Sequence, residues 1–122
     1  MTIFSQVQDI VSDILDIDPA EISEDSYLIR DLDAESIDLL EFSIDFGSAF
    51  GVVVNDDLVF LRTLRTVLVG ADEADRERAD ALKEKYPWLT SERIQEILHT
   101  IDDGPVLRIS DIVAYFTYLQ ES

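Results

Sequence analysis

The sequence predicts an all-α protein, and three patterns along the chain indicate this fold class. Apolar residues recur at three- and four-residue steps in several segments, which is the spacing of one buried helix face. Helix-capping residues precede these segments, and glycine or proline follows several of them. No stretch alternates apolar and polar residues convincingly enough to indicate a strand. We therefore expect a bundle of helices.

Two helices separated by an acidic loop are predicted in the first part of the chain. The first covers residues 3–16, with Thr2 as its N-cap. The loop over residues 23–35 carries many acids. The second helix covers residues 36–50, and Gly51 ends it because glycine readily adopts the left-handed conformation found after helices.

The second part of the chain predicts several further helices. One covers residues 58–69, capped by Asp56 or Asp57 and stopped by Gly70. The stretch 71–86 has alternating charge and is either a solvated helix or a mobile loop, of which we favour a frayed helix. Its stabilising pairs would be Asp72 with Arg76 and Asp80 with Lys83. The last two helices have Thr90 and Ser110 as their N-caps.

The net charge restricts the classes of partner. The chain has 27 acidic and 9 basic residues, which gives a net charge of −18. Nucleic acids and anionic membrane surfaces are poor partners for such a chain, because both require clustered lysine and arginine. We expect basic patches on other proteins to be the partners.

Several classes of protein are disfavoured by what the sequence lacks. There is no apolar run of the length that a membrane helix needs, and the start does not resemble a signal peptide, so we expect a cytoplasmic protein without membrane insertion. Cysteine is absent, and His99 is the single histidine, so we expect no disulfide, no thiol nucleophile and no metal site. A lone histidine also gives little support to an enzyme.

Charge divides the chain unevenly. Residues 1–57 and 105–122 together hold 17 acidic residues and only two basic ones, Arg30 and Arg108. Residues 58–104 hold 10 acidic and 7 basic residues and are therefore nearly neutral by comparison. We interpret residues 1–122 as a single domain whose acidic core, 1–57 and 105–122, accepts an insertion over about 58–104.

One motif, DLDAESIDLLEF at residues 31–42, places the hydroxyl of Ser36 at a helix N-terminus among carboxylates. A serine in this position is usually an N-cap. The same position also tolerates a phosphodiester, because free amides and the positive end of the helix dipole meet there. A calcium-binding loop is excluded, since Ser36 and Phe42 stand where that loop requires glycine and glutamate. Position alone leaves the first two roles open.

The sequence resembles the acyl carrier protein family over about two thirds of its length. The family attaches a phosphopantetheine arm to the serine of an Asp-Ser-Leu motif that opens the second helix of a four-helix bundle, and Glu35-Ser36-Ile37 occupies that place here. The register continues without a gap to Asp57, and the closing segment LRISDIVAYF also fits. The comparable residues beyond the motif are Asp38, Glu41, Phe50, Val52, Val53, Val54, Asn55 and Asp56.

The resemblance implies an acyl-carrier-protein-like four-helix bundle with extra helices between the second and last core helices. It implies a carrier without enzymatic activity, monomeric, with 4'-phosphopantetheine transferred from coenzyme A to Ser36. The partners would be a phosphopantetheinyl transferase and the enzymes of fatty-acid, lipid or polyketide biosynthesis that carry basic patches. The alternative is an unmodified, acidic adaptor with the same fold. Partner recognition would involve Asp31, Asp33, Glu35, Asp38, Glu41 and Asp45.

A partly sheltered cargo is also implied, although helix core residues give the same pattern as pocket residues. The residues that could line an acyl pocket are Ile37, Leu40, Ile44, Phe46, Phe50, Val54, Leu61 and Phe116.

The chain departs from the family pattern at several points. Glu35 and Ile37 replace the usual aspartate and leucine, and Gly47 and Ser48 stand where acids are common. The family usually has a short third helix where this chain has about 45 residues. This insertion suggests a specialised carrier, in which it either enlarges the acyl pocket or provides a surface for a dedicated partner.

Overall fold

The computed structural model describes residues 2–121 and shows an all-α fold. This part of the chain contains seven α-helices and no strand, and Tyr27 and Arg108 form an isolated antiparallel bridge. The all-α class is therefore confirmed. The helices are α1 (Ile3–Leu15), α2 (Ser36–Phe50), α3 (Asp56–Val59), α4 (Leu64–Glu73), α5 (Arg78–Lys85), α6 (Ser91–Thr100) and α7 (Ile109–Glu121), with 3₁₀ turns at Pro19–Glu21 and Ile101–Asp103.

The helices α1, α2 and α7 form the centre of the bundle. Helix α1 packs against α2 and α7, and the short α3 packs against α7. Phe46 of α2 and Phe116 of α7 are fully buried and meet edge to face, with their ring centroids 5.3 Å apart. Phe50 stacks on Phe116 at 4.3 Å. This aromatic cluster fixes α2 against the last helix.

Helices α4, α5 and α6 pack in sequence along the chain and join the same apolar core. Trp88 lies between α5 and α6 and packs edge-on against Tyr115 of α7, with ring centroids 5.0 Å apart. Arg93 of α6 forms a buried ion pair with Asp111 of α7, at 2.8 Å for both oxygens. The 58–104 segment is thus fixed to α7 by apolar and ionic contacts.

The predicted single helix over 58–69 is wrong, because the backbone breaks at Leu61. Leu61 adopts a left-handed conformation with φ of 53°, and the Arg62 N–H donates to the carbonyl of Asp57 as in a Schellman cap. This conformation costs a non-glycine residue about 1–2 kcal/mol, while burial of the Leu61 side chain opposes the cost. Helix α4 then runs past Gly70 to Glu73, so Gly70 does not stop it.

The segment 71–86 is not one frayed helix, because residues 71–73 end α4 and residues 78–85 form α5, and its ion pairs differ from the predicted ones. Asp72 pairs with Arg78 at 2.7 Å rather than with Arg76, and this guanidinium lowers the pKa of the Asp72 carboxyl through its hydrogen bonds. Arg76 pairs instead with Glu84. Lys83 donates to two backbone carbonyls and forms no bond with Asp80 in the described range. Asp75 adopts a left-handed conformation in the turn between α4 and α5. The predicted pairs assumed one continuous helix, and this turn interrupts it.

Ser110 is not the N-cap of the last helix. Helix α7 begins at Ile109, so Ser110 lies within its first turn. Asp111 instead accepts the N–H of Arg108 at 2.9 Å and also binds Arg93. The carboxylate of Asp111 thus caps the start of the helix locally and also binds α6.

Candidate functional site

Ser36 is the first residue of α2 and its side chain is exposed. Glu35, not Ser36, occupies the N-cap position, and the carboxylate of Asp38 accepts the N–H of Glu35 at 2.8 Å. Among residues 2–121, the Ser36 hydroxyl has no hydrogen-bond partner. The common role of serine as a helix cap is thus performed by its neighbours, and the hydroxyl is left accessible.

The loop before α2 holds Ser36 in place through buried backbone contacts. The N–H of Ala34 donates to the carbonyl of Leu28 at 3.2 Å, and the N–H of Leu28 donates to the carbonyl of Leu107 at 3.0 Å. Both Leu28 and Ala34 are buried. The N–H of Ile109 donates to the backbone carbonyl of Ser26 at 3.0 Å, so the start of α7 also fixes the loop. Ser36 therefore follows directly on a fixed segment.

The N-terminus of α2 fits the attachment of a phosphodiester to Ser36. The amides of Ser36 and Ile37 have no acceptor within the helix, as expected for its first turn. These amides and the positive end of the helix dipole favour a negative group there, by about 0.3–1 kcal/mol when exposed. The exposed, unbonded hydroxyl is the group that would be esterified.

A negatively charged cavity of about 510 Å³ adjoins the start of α2. The end of α1, the acidic loop and the first turn of α2 form its walls. Four of the acids predicted for partner recognition line it, whereas Glu41 and Asp45 lie farther along α2 and are exposed. The carboxylates that line the cavity are Glu21, Asp31, Asp33, Glu35 and Asp38.

Three large apolar side chains of α2 are exposed on the surface. They are Ile37, Leu40 and Ile44, which are 63%, 57% and 71% exposed, and they are called the α2 apolar stripe below. Sequence reasoning placed them among the residues of an acyl pocket, and the structure places them on the outside of the bundle. The apolar residues of α2 extend around most of the helix, so periodicity did not show which ones face inward.

The other proposed pocket residues lie in the interior or beside a second cavity. Phe46 and Phe116 are fully buried, while Phe50 and Val54 are partly buried against the same core. Leu61 alone among the eight lines a cavity of about 340 Å³ between the acidic loop and the 58–104 segment. Most of that lining comes from residues that sequence reasoning missed, because the break at Leu61 creates the cavity and no local pattern predicts the break.

Comparison with known proteins shows the family to which the chain belongs. The family described as the phosphopantetheine attachment site matches residues 5–68. The acyl carrier protein of Thermotoga maritima is 42% identical over 67 residues, which cover 54% of this chain and 83% of that relative. The meromycolate extension acyl carrier protein of Mycolicibacterium smegmatis is 30% identical over 88 residues, which cover 69% of this chain and 89% of that relative. No solved structure matches the chain significantly.

The fold, the exposed serine and these similarities define a carrier of the phosphopantetheine-binding class. The chain belongs to the acyl carrier protein family. Members of this family are carriers rather than enzymes, and the cofactor is covalently attached 4'-phosphopantetheine. Within residues 2–121, no helix has the length and apolar character needed to cross a membrane.

Proposed function

We propose that Ser36 is the attachment residue and that the chain presents an acyl group to fatty-acid, lipid or polyketide biosynthetic enzymes. The observation that carries this proposal is the exposed Ser36 hydroxyl, which no neighbour binds, at the N-terminus of α2. When bound, the arm supplies a terminal thiol that holds the acyl group as a thioester. In this proposal, residues 1–57 and 105–122 form the carrier core of a cytoplasmic monomer, and 58–104 is the insertion.

The chain's own residues would position the nucleophile and stabilise the product. The loop anchored by Leu28 and Ala34 holds Ser36 at the end of α2, so little conformational freedom is lost when a transferase binds. The Ser36 oxygen would form the new bond to the phosphorus of the phosphopantetheinyl group. The pyrophosphate bond of coenzyme A would break, adenosine 3',5'-bisphosphate would leave, and the Ser36 proton would pass to the transferase. The amides of Ser36 and Ile37, which have no acceptor within the helix, would be available to the phosphodiester.

The α2 apolar stripe and the surrounding acids form a docking surface for partner enzymes. Ile37, Leu40 and Ile44 supply apolar area at its centre, and Glu41 and Asp45 supply charge beside it. An apolar centre with a charged rim is the usual composition of a transient interface. Exposed charges mainly accelerate and orient the encounter with a basic partner. Such a surface suits a carrier that must bind and leave several enzymes.

Incubation with coenzyme A and a broad-specificity phosphopantetheinyl transferase tests the proposed function. We expect the intact mass of the protein to increase by one phosphopantetheinyl group. Absence of any gain with several transferases, each active on another carrier protein in the same experiment, would favour the unmodified adaptor instead.

The docking surface predicts a salt-sensitive effect of Glu41→Lys on modification. We expect the kcat/KM of the transferase to fall about threefold to tenfold at low ionic strength, because reversal of a charge slows the guided encounter. The difference should shrink as salt is added. Asp9→Lys is the matched control, because Asp9 is also an exposed acid but lies on α1 rather than on α2. An equal effect of both variants would contradict a localised docking surface.

A further inference from the structure

The cavity of about 340 Å³ has an apolar lining that the 58–104 segment largely supplies. Its walls come from the acidic loop, the break between α3 and α4, the 3₁₀ turn after α6, and the strand-like segment before α7. The apolar residues that line it include Ile29, Phe60, Leu61, Ile101, Val106 and Leu107.

Arginines without a carboxylate partner collect around this cavity. Four of the seven arginines form ion pairs, within the part of the chain that the structure describes. The other three are Arg30, Arg62 and Arg65, and Arg62 and Arg65 line the cavity directly. Arg30 lies close to Gly104 of the lining, with its Cδ 3.8 Å from the position that a β-carbon there would occupy, while its guanidinium lies over the ring of Tyr27. One cavity therefore has all three unpaired arginines beside it.

The absence of carboxylates from the lining is notable in a chain with 27 acids. None of the residues that line this cavity is acidic, whereas five acids line the cavity at the start of α2. Asp102 and Asp103 are nearby in sequence but are exposed and form no ion pair with Arg65 in the described range. Arg65 donates to the carbonyl of Ile101 at 3.1 Å, which directs its guanidinium across the cavity wall. The lining therefore contains two basic residues, Arg62 and Arg65, and no acidic one.

The cavity is close enough to Ser36 for an attached chain to reach it. The backbone N–H of Ala34 donates a hydrogen bond to the carbonyl of Leu28, and Ile29, which follows Leu28, lines the cavity. Leu28 also donates a backbone hydrogen bond to Leu107, and Leu107 lines the cavity as well. Along this path the Cα atoms of Ser36 and Ile29 are at most about 19 Å apart, given the 3.2 Å hydrogen bond, the backbone bond lengths and 3.8 Å between consecutive Cα atoms.

We propose that this cavity binds a medium-length acyl cargo that ends in a carboxylate, with Arg62 and Arg65 as the residues that recognise that end. The inference rests on the proposed attachment at Ser36. A volume of about 340 Å³ holds about ten non-hydrogen atoms if each occupies roughly the volume of a water molecule. The apolar walls bind the methylene chain. Guanidinium groups bind carboxylates through paired, charge-assisted hydrogen bonds, which an acyl chain ending in a methyl group cannot form.

Two cargoes that differ only at their far end test this inference. Octanoyl and suberoyl groups have equal chain length, and only the second ends in a carboxylate. The protein is loaded at Ser36 from either coenzyme A thioester with a transferase, and cleavage by hydroxylamine is followed by mass spectrometry. We expect the suberoyl thioester to be cleaved about threefold to tenfold more slowly than the octanoyl thioester, a ratio typical of one partly exposed charged pair.

Three variants identify the residues that cause the difference. Arg62→Gln and Arg65→Gln should each reduce the ratio of the two rates toward one, while Lys85→Gln, which removes an exposed charge away from the cavity, should preserve it. The side chain of Arg62 makes no hydrogen bond among the described residues, so its variant is expected to fold normally. Equal rates in the wild type, or a ratio that neither arginine variant changes, would overturn the inference and leave attachment intact. Failure to load either group would overturn both proposals.

Discussion

Ser36→Ala is expected to abolish modification by coenzyme A and a transferase completely. The variant lacks the oxygen that would be esterified, because alanine leaves no hydroxyl at the first position of α2. Because the hydroxyl makes no hydrogen bond among the described residues, we expect the free energy of unfolding to change by less than about 0.5 kcal/mol. Intact mass and thermal unfolding measure the two effects separately.

Ser48→Ala is the matched control for this experiment. Ser48 is also an exposed serine on α2, but it lies near the other end of the helix. The Ser48→Ala variant should be modified as fully as the wild type. Modification that persists in Ser36→Ala, or that is lost in Ser48→Ala, would assign the arm to another residue.

The second large effect is expected for Asp111→Asn, which leaves Arg93 charged without its partner. The pair is nearly inaccessible, with side chains 9% and 2% exposed, and Arg93 also donates to the carbonyl of Val106. Removal of one member of a buried ion pair costs about 3–5 kcal/mol, since the remaining charge stays buried. For a chain of this size we expect the Tm to fall by about 10 °C or more. The change can be followed by circular dichroism and by the fluorescence of Trp88, which contacts both α7 and Tyr86.

Glu84→Gln provides the comparison at the surface. It breaks the pair with Arg76, in which both side chains are largely exposed at 70% and 45%. Exposed pairs contribute little because water and salt screen them, so we expect almost no change in Tm. A similar fall in Tm for both variants would show that Asp111 does not hold the 58–104 segment onto α7.

Local rules explain why the sequence predicted the region around Ser36 well. Thr2 caps α1, and Gly51 ends α2 with a φ of 65°, as their residue types indicate. The motif and its register depend on neighbours in sequence, so they could be read without tertiary information. The accessibility of Ser36 could not be predicted in this way, because it depends on Glu35 taking the cap position and on Asp38 accepting the Glu35 N–H.

Tertiary contacts decided the features that sequence reasoning missed. The left-handed Leu61 is stabilised by burial of an apolar side chain, which no propensity scale anticipates at a position where glycine is usual. Arg93 pairs with Asp111, 18 residues away in the sequence, and this pair joins α6 to α7. The cavity with Arg62 and Arg65 arises from the same break at Leu61. Each of these features depends on residues far apart in the chain.

The intact mass of the protein purified from its native host, followed by fragmentation, tests the central claim most directly. We expect a mass above that of the polypeptide by one phosphopantetheinyl group, with or without an acyl group, located on the fragment that contains Ser36. A mass equal to the bare polypeptide, in cells whose other carrier proteins are modified, would contradict attachment at this serine.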